Sequence, residues 1–219
     1  MKKALIITGG FIDEKFAGDF VGKHNFDSII AVDGGLKYVY EHGLLPDIII
    51  GDFDTIDGEI LKKYQANNYS RIIRLNPIKD STDTEEAIDY AIFAGFDKAY
   101  IIGGVGDRVD HSIANLFLLK KAMENGLKAT IYTSTSKMFM ISQNTKINNT
   151  KKYKYISFIQ FDGPAIGVTL KGFKYEVKDM DFDTKKTYSL GISNEFSASV
   201  GEVSIKKGAL LVVMSMDDH

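Results

Sequence analysis

Apolar and polar positions follow two different rhythms along this chain of 219 residues. Up to about residue 135, short β-branched runs alternate with helix-length amphipathic segments, the pattern of a parallel sheet with crossover helices. Strands are predicted at Ala4 to Thr8, Ser28 to Val32, Asp47 to Ile50, Arg71 to Leu75, Lys98 to Ile102 and Ala129 to Thr133. Most are apolar on both faces, as a sheet covered by helices on each side requires. Helices are predicted at Asp57 to Asn67, Thr84 to Ala94 and His111 to Asn125. In the last, Ile113, Leu116, Phe117, Leu119, Ala122 and Met123 make one broad apolar face, and Asn125-Gly126 closes it as a C-cap.

Beyond about residue 135 the helical period disappears and short strands alternate with Gly, Asn and Lys turns. Tyr155 to Phe161, Gly167 to Leu170, Lys174 to Val177, Glu195 to Ser199, Glu202 to Ile205 and Leu210 to Met214 read as strands, with Lys137 to Ile141 as a further candidate. The expected organisation is α/β plus all-β. A Rossmann-like parallel sheet with flanking helices spans 1–135, and an antiparallel β-sandwich spans 136–219.

Composition removes several classes of function. The chain has no cysteine, which excludes disulfides, thiolate metal sites and cysteine nucleophiles and leaves oxygen as the expected metal donor. His24, His42 and His219 have no metal-ligand spacing. The net charge of -2 is dispersed, without the basic block of a nucleic-acid binder. No apolar run approaches the roughly 18 to 20 residues needed to span a bilayer. The basic then apolar start is too short for a signal sequence and reads as the first strand of a cytoplasmic protein.

Candidate chemistry lies at the ends of the predicted parallel strands. Gly51-Asp52-Phe53-Asp54, Lys79-Asp80-Ser81-Thr82-Asp83 and Gly106-Asp107-Arg108-Val109-Asp110-His111 each follow an apolar run, and Asp33-Gly34-Gly35 follows the second strand. In open parallel sheets ligands bind outside the carboxyl ends of the strands, so four loops are expected to converge on one crevice. Carboxylates gathered there need a counter-charge, and magnesium with phosphate supplies one. If their loop is extended, Asp52 and Asp54 point the same way toward one cation, with Asp83 as a further ligand. The alternative is that Asp52 and Asp54 are turn and cap residues of the next helix. Thr82-Asp83-Thr84-Glu85 reads as a capping box, compatible with an anion site at the same helix start. Gly103, Gly104 and Gly106 let phosphate approach the backbone closely, yet form neither a dinucleotide fingerprint nor a Walker loop. Arg108, with Asp110 to hold it, suits two-point phosphate binding, and a plain surface ion pair is the alternative. His111 opens a helix as a capping residue or a general base.

In this order Asp33-Gly34-Gly35, Pro46-Asp47 with Gly51-Asp52-Phe53-Asp54-Thr55, Lys79-Asp80-Ser81-Thr82-Asp83, Gly103 to His111, and Gly191-Ile192-Ser193-Asn194-Glu195-Phe196 resemble the thiamine pyrophosphokinase family. The resemblance spans nearly the whole chain. It implies transfer of pyrophosphate from ATP to the hydroxyl of thiamine, releasing AMP, by a homodimer with shared sites. An α/β domain would hold the nucleotide and a β-sandwich domain the thiamine. Carried over by motif, Asp52, Asp54 and Asp83 are magnesium-site acids, and Arg108 and Asp110 are catalytic contacts to phosphate and nucleotide. Asp33, Gly34, Gly35, Thr82, Gly104 and His111 fall on the nucleotide side, and Lys79, Ser193, Asn194 and Phe196 on the acceptor side. The chain departs from the family in Thr55, where Ser is usual, and in Val105-Gly106-Asp107, where Thr-Gly-Gly is common. It also lacks Trp, so Phe196 or another aromatic would replace the indole that stacks on thiamine in some members. Asp80 and Asp110 are both candidates for accepting the hydroxyl proton. The competing functions are pyrophosphate transfer to another alcohol, such as a hydroxymethylpterin, and a non-catalytic nucleotide-sensing module.

Overall fold

The computed structural model describes every residue except Thr55, Asn68, Thr187, Asp218 and His219, together with the side chain of Asn67. Thr55 and His219, noted above, thus lie outside the described residues. The chain divides into two compact units, Met1–Ser134 and Thr135–His219.

The first unit carries strands β1 (Lys3–Ile7), β2 (Ser28–Val32), β3 (Ile48–Gly51), β4 (Arg71–Arg74), β5 (Lys98–Ile102) and β6 (Lys128–Tyr132). Its helices are α1 (Glu14–Lys23), α2 (Gly35–Glu41), α3 (Gly58–Asn67), α4 (Asp83–Phe93) and α5 (Val109–Glu124). The strands lie in the order β4-β3-β2-β1-β5-β6, all parallel. Ala4 to Ile7 are wholly buried because helices cover both faces, which is why the sequence there is continuously apolar. The chain runs outward from β1 to β4 and then returns to place β5 on the other side of β1. The strand order therefore reverses between β1 and β5, where an open α/β sheet has its ligand crevice.

Helices α1 and α2 come in addition to the three expected. Asp13 caps α1, its Oδ1 accepting from Phe16 N at 2.7 Å. Helix α5 is rotated relative to the expected apolar face. Asn115, Leu118, Leu119 and Ala122 face inward, while Ile113 and Phe117 are about half exposed. A polar Asn occupies the buried stripe because a carbonyl of the neighbouring loop meets it there.

The second unit contains β7 (Ser136–Ile141), β8 (Thr145–Asn148), β9 (Tyr155–Gln160), β10 (Ala165–Lys171), β11 (Val177–Phe182), β12 (Val200–Ser204) and β13 (Leu210–Ser215). Strands β7, β13 and β9 pair antiparallel, and a second antiparallel sheet has the order β11-β10-β12-β8. Phe158, Val168, Phe182, Val203 and Val212 from both sheets share one core. Two expected strands are corrected. Lys174 to Glu176 and Glu195 to Ser199 form no strands; the two stretches meet through an isolated bridge of Phe173 with Phe196 and a hydrogen bond from Lys174 N to Glu195 O at 2.8 Å. The strand begins instead at Val177, and Lys178, Asp179 and Met180 within it stay exposed, since β11 is a sheet edge.

Candidate active site

The loops that follow β1, β2, β3 and β5, together with the start of α4, surround a cleft of about 590 Å³ within the first unit. That volume suits a small-molecule ligand. Its floor is made of backbone on backbone. Gly10 N donates to Gly103 O at 3.0 Å, and a Cβ on Gly10 would stand 2.2 Å from that same oxygen. A Cβ on Gly106 would lie 2.6 Å from Phe11 N. Glycine is needed at both positions because the two strand-end turns touch where side chains would otherwise stand. Gly34 and Gly35 do not line the cleft. They let the start of α2 settle against β1, where a Cβ on Gly35 would meet Ile7 O at 2.1 Å.

Asp52 and Asp54 come together, but by a different route from the extended loop expected. Phe53 turns the chain with φ of 62°, buries its ring, and has the Arg74 guanidinium over it at 5.3 Å. Asp52 Oδ1 accepts from Asp54 N at 3.2 Å, which holds the tight turn. Asp57, rather than either acid, accepts from an amide at the start of α3, from Glu59 N at 2.9 Å. Among the described residues, oxygens of Asp33, Asp52 and Asp54 lie within 4.8 Å of one another. Burial raises the Asp33 carboxyl above its ordinary range, and the charges of Asp83, Asp52 and Asp54 push the same way against a hydrogen bond from the Gly34 backbone. Crowded carboxylates with only oxygen donors suit a hard divalent cation.

Asp83 lines the same cleft but is engaged by Lys79, whose Nζ stands 2.6 Å from its Oδ1, with both side chains largely buried. Thr82 caps α4 as expected, its Oγ1 accepting from Glu85 N at 3.2 Å, and it also faces the cleft. Lys121 Nζ reaches Glu85 at 2.8 Å and Asp89 at 2.7 Å and so fastens α5 to α4.

Arg108 and His111 line the cleft, whereas Asp110 grips Arg108 in a fork of 3.0 Å to Nε and 2.6 Å to Nη2. Hydrogen bonding from the guanidinium brings the Asp110 carboxyl down to about 2. Both side chains are mostly exposed, so the pair orients Arg108 more than it stabilises the fold.

Ser193, Asn194 and Phe196 belong to the second unit. Asn194 is buried. Its Nδ2 donates to Tyr175 O at 2.8 Å, and its Oδ1 accepts from Tyr175 N and from Glu195 N, both at 2.9 Å. Ser193, exposed with φ of 53°, is held through its amide by Ser157 Oγ at 3.0 Å. Phe196 packs on Phe173 with ring centroids 5.2 Å apart, as part of the core margin.

Sequence reasoning missed Thr8, Gly9, Gly10 and Phe11 after β1, and Ser112 and Asn115 on α5, all of which line the cleft. The Gly9-Gly10 pair was a signal for the first group. Polar residues one turn apart in an otherwise apolar stripe were a signal for the second.

Two family models match the chain: "Thiamin pyrophosphokinase, catalytic domain" over residues 23–131 and "Thiamin pyrophosphokinase, vitamin B1 binding domain" over residues 144–210. The thiamine pyrophosphokinase of Bacillus subtilis is 30% identical over 219 residues, covering 99% of this chain and 100% of that one. A crystal structure of thiamine pyrophosphokinase from Bacillus subtilis superposes with a TM-score of 0.87 at 28% identity, covering 99% of this chain and 100% of that chain. One from Geobacillus thermodenitrificans gives 0.85 at 26% identity, covering 99% and 98%.

Proposed function

The chain belongs to the thiamin pyrophosphokinase family, and from that premise we propose that it transfers pyrophosphate from ATP to the hydroxyl of thiamine, giving thiamine pyrophosphate and AMP. The observation that carries the reading is the cleft of about 590 Å³ at the strand-order reversal, walled by Asp33, Asp52, Asp54 and Arg108. Matches to models for both halves favour neither a pterin acceptor nor a sensing module. Purified protein given ATP, magnesium and thiamine is expected to release AMP and thiamine pyrophosphate in equal amounts. Appearance of ADP, or no thiamine product, overturns the reading.

In this proposal the thiamine oxygen bonds to the β-phosphorus of ATP while the bond from that phosphorus to the α,β-bridging oxygen breaks. The bridging oxygen leaves on AMP, and the hydroxyl proton passes to solvent. Phosphoryl transition states of this kind are loose, so the protein chiefly positions the reactants and balances charge. We assign Asp52 and Asp54 to a magnesium ion, with Asp33 as the third carboxylate in reach. When bound, such an ion supplies neutralisation of charge on the polyphosphate. Asp83 keeps a part in the same set through its charge at Asp33, and it steadies Lys79 near the acceptor. The backbone of Gly104 and the capped start of α4 at Thr82 face the nucleotide phosphates. Asp110, held near 2, is a weak base, and Asp80 does not line the cleft. Neither is an efficient proton acceptor, and a loose transition state asks little of one.

Arg108 is assigned to the phosphates, with Asp110 as its holder and His111 beside it. Arg108→Lys is expected to raise the KM for ATP and lower turnover together, because an ammonium cannot make the planar two-point contact. Kinetics equal to the parent would remove Arg108 from the phosphate site.

Thiamine is assigned to the second unit, with Ser193 presented by its turn and Phe196 as the aromatic neighbour. The buried amide of Asn194 fixes that segment against Tyr175. Asn194→Ala leaves backbone groups of Tyr175 without their partner, a loss of about 1–3 kcal/mol of stability. It is expected to raise the KM for thiamine while ATP affinity stays near normal. We further propose a cytoplasmic homodimer, supported by the exposed apolar residues Val109, Ile113 and Phe117 spaced four apart on α5, a type of surface that subunit contacts cover. Mixing Asp54→Asn chains with Asn194→Ala chains then restores activity if each site draws on both subunits. No recovery after demonstrated exchange confines each site to one chain.

A further inference from the structure

Two polar side chains on α5, Ser112 and Asn115, hold the glycine turn after β5 and have no place in the mechanism so far. Asn115 is 7% exposed and donates from Nδ2 to Gly104 O at 2.8 Å. Ser112, one helical turn earlier, accepts at Oγ from Gly106 N at 3.1 Å, and its hydroxyl has Gly106 O at 3.2 Å and Arg108 O at 3.0 Å as acceptors. Both residues line the cleft.

The turn they hold is poor in intrinsic rigidity. Gly103 sits at φ of 73°, and Gly104 and Gly106 have no Cβ to restrict their peptide planes. A peptide between such residues rotates readily, and each rotation exchanges an N–H for a C=O on a given side. That exchange decides what an anion meets, since an N–H attracts phosphate and a carbonyl oxygen repels it. Because the peptide between Gly104 and Val105 is trans, anchoring Gly104 O on Asn115 turns the following amide, that of Val105, the opposite way. Ser112 holds both polar groups of Gly106 and the carbonyl of Arg108, so it fixes the second half of the turn and the base from which the Arg108 guanidinium reaches.

We propose that Ser112 and Asn115 are positioning residues for polyphosphate, holding the Gly103 to Arg108 turn in one arrangement so that Arg108 is presented to the phosphates from a fixed base. The proposal rests on the functional reading above. Its site is the phosphate half of the cleft, and thiamine affinity lies outside its effect.

The test measures binding of magnesium tripolyphosphate and magnesium ATP by calorimetry, thiamine binding separately, and KM and kcat, for the parent and for Asn115→Leu, Ser112→Ala and Ser112→Thr. Outer partners that orient metal ligands are commonly worth about 10- to 100-fold in affinity, and partners that orient a phosphate-binding turn are expected to act on the lower part of that scale. Asn115→Leu and Ser112→Ala are therefore expected to weaken tripolyphosphate and ATP by about tenfold or more, with thiamine affinity unchanged. Ser112→Thr, which keeps the hydroxyl, should bind as the parent does. A residue serving only the fold would change stability without this split between ligands. If Asn115→Leu does not fold, the Ser112→Ala and Ser112→Thr pair decides. Folded variants that bind tripolyphosphate like the parent overturn the proposal, as does a parent that binds no tripolyphosphate at all. A parent that binds tripolyphosphate but forms no thiamine pyrophosphate refutes the enzymatic reading alone, and the binding series still decides the role of the two residues.

Discussion

Asp54→Asn is expected to lower the rate of thiamine pyrophosphate formation by on the order of a hundredfold, the usual scale for losing one charge-stabilising group. The substitution keeps the side-chain size, and the bond holding the turn comes from the Asp54 backbone to Asp52, so the loop keeps its shape. Asp54 is exposed, and no packing is lost. What disappears is one of three negative charges whose oxygens lie within 4.8 Å of one another. Two measurements separate charge from fold. The magnesium concentration needed for half-maximal rate should rise. The gain in unfolding temperature on adding magnesium to the parent should shrink in the variant, since a ligand stabilises the state that binds it. Unchanged turnover with unchanged magnesium dependence in a folded Asp54→Asn protein removes Asp54 from the metal site.

Gly10→Ala is expected to be among the most damaging small substitutions in the first unit. The added methyl would stand 2.2 Å from Gly103 O and 3.1 Å from Gly103 C, and both atoms are backbone, so no side chain can swing aside. Either the hydrogen bond from Gly10 N to Gly103 O breaks or the two turns part. Forced overpacking of this kind costs about 1–3 kcal/mol, sometimes more. Parting the turns also opens the phosphate floor, so ATP affinity should fall by about tenfold, an amount equal to about 1.4 kcal/mol. Gly18→Ala is the matched control. It lies within α1 with nothing inside 4 Å of the added carbon, and helix propensity predicts a gain of roughly 0.5–1 kcal/mol. Urea unfolding of both variants checks the contrast. Equal stabilities for Gly10→Ala and the parent would mean that the turns are not in close contact.

Much of the site was legible because the constraints on it are local. An acid placed directly after a buried strand has few roles, and Asp33, Asp52 and Asp54 did arrive at one cleft, joined by Asp83 from the start of α4. The cap at Thr82 was legible for the same reason, since a cap depends on residues three positions apart. Other features were not local. Glu195 to Ser199 has a strand-like alternation, but Asn194 pairs by its side chain with the Tyr175 backbone, and the chain bends instead of extending a ladder. The apolar period of α5 carried more apolar residues than one face can hold. Which of them faced inward was settled by Gly104 O, which needed the Asn115 amide.

From the sequence alone came the alternation that makes a parallel sheet, the switch to antiparallel strands near residue 135, the strand-end acids and the glycines of the β5 turn. These follow from burial, periodicity and backbone freedom, each of which acts over a few neighbouring residues. Strand order was decided only by the tertiary structure. Nothing in the spacing of apolar runs says that β5 lies against β1, yet that neighbour relation makes Gly10 touch Gly103 and brings the β1 loop into the cleft. It also brings Asp33 beside Asp52 and Asp54, because β2 and β3 are adjacent and their end loops meet. The physical reason is that contacts between residues distant in sequence depend on how whole layers pack, and a local pattern carries no record of which strand becomes the neighbour.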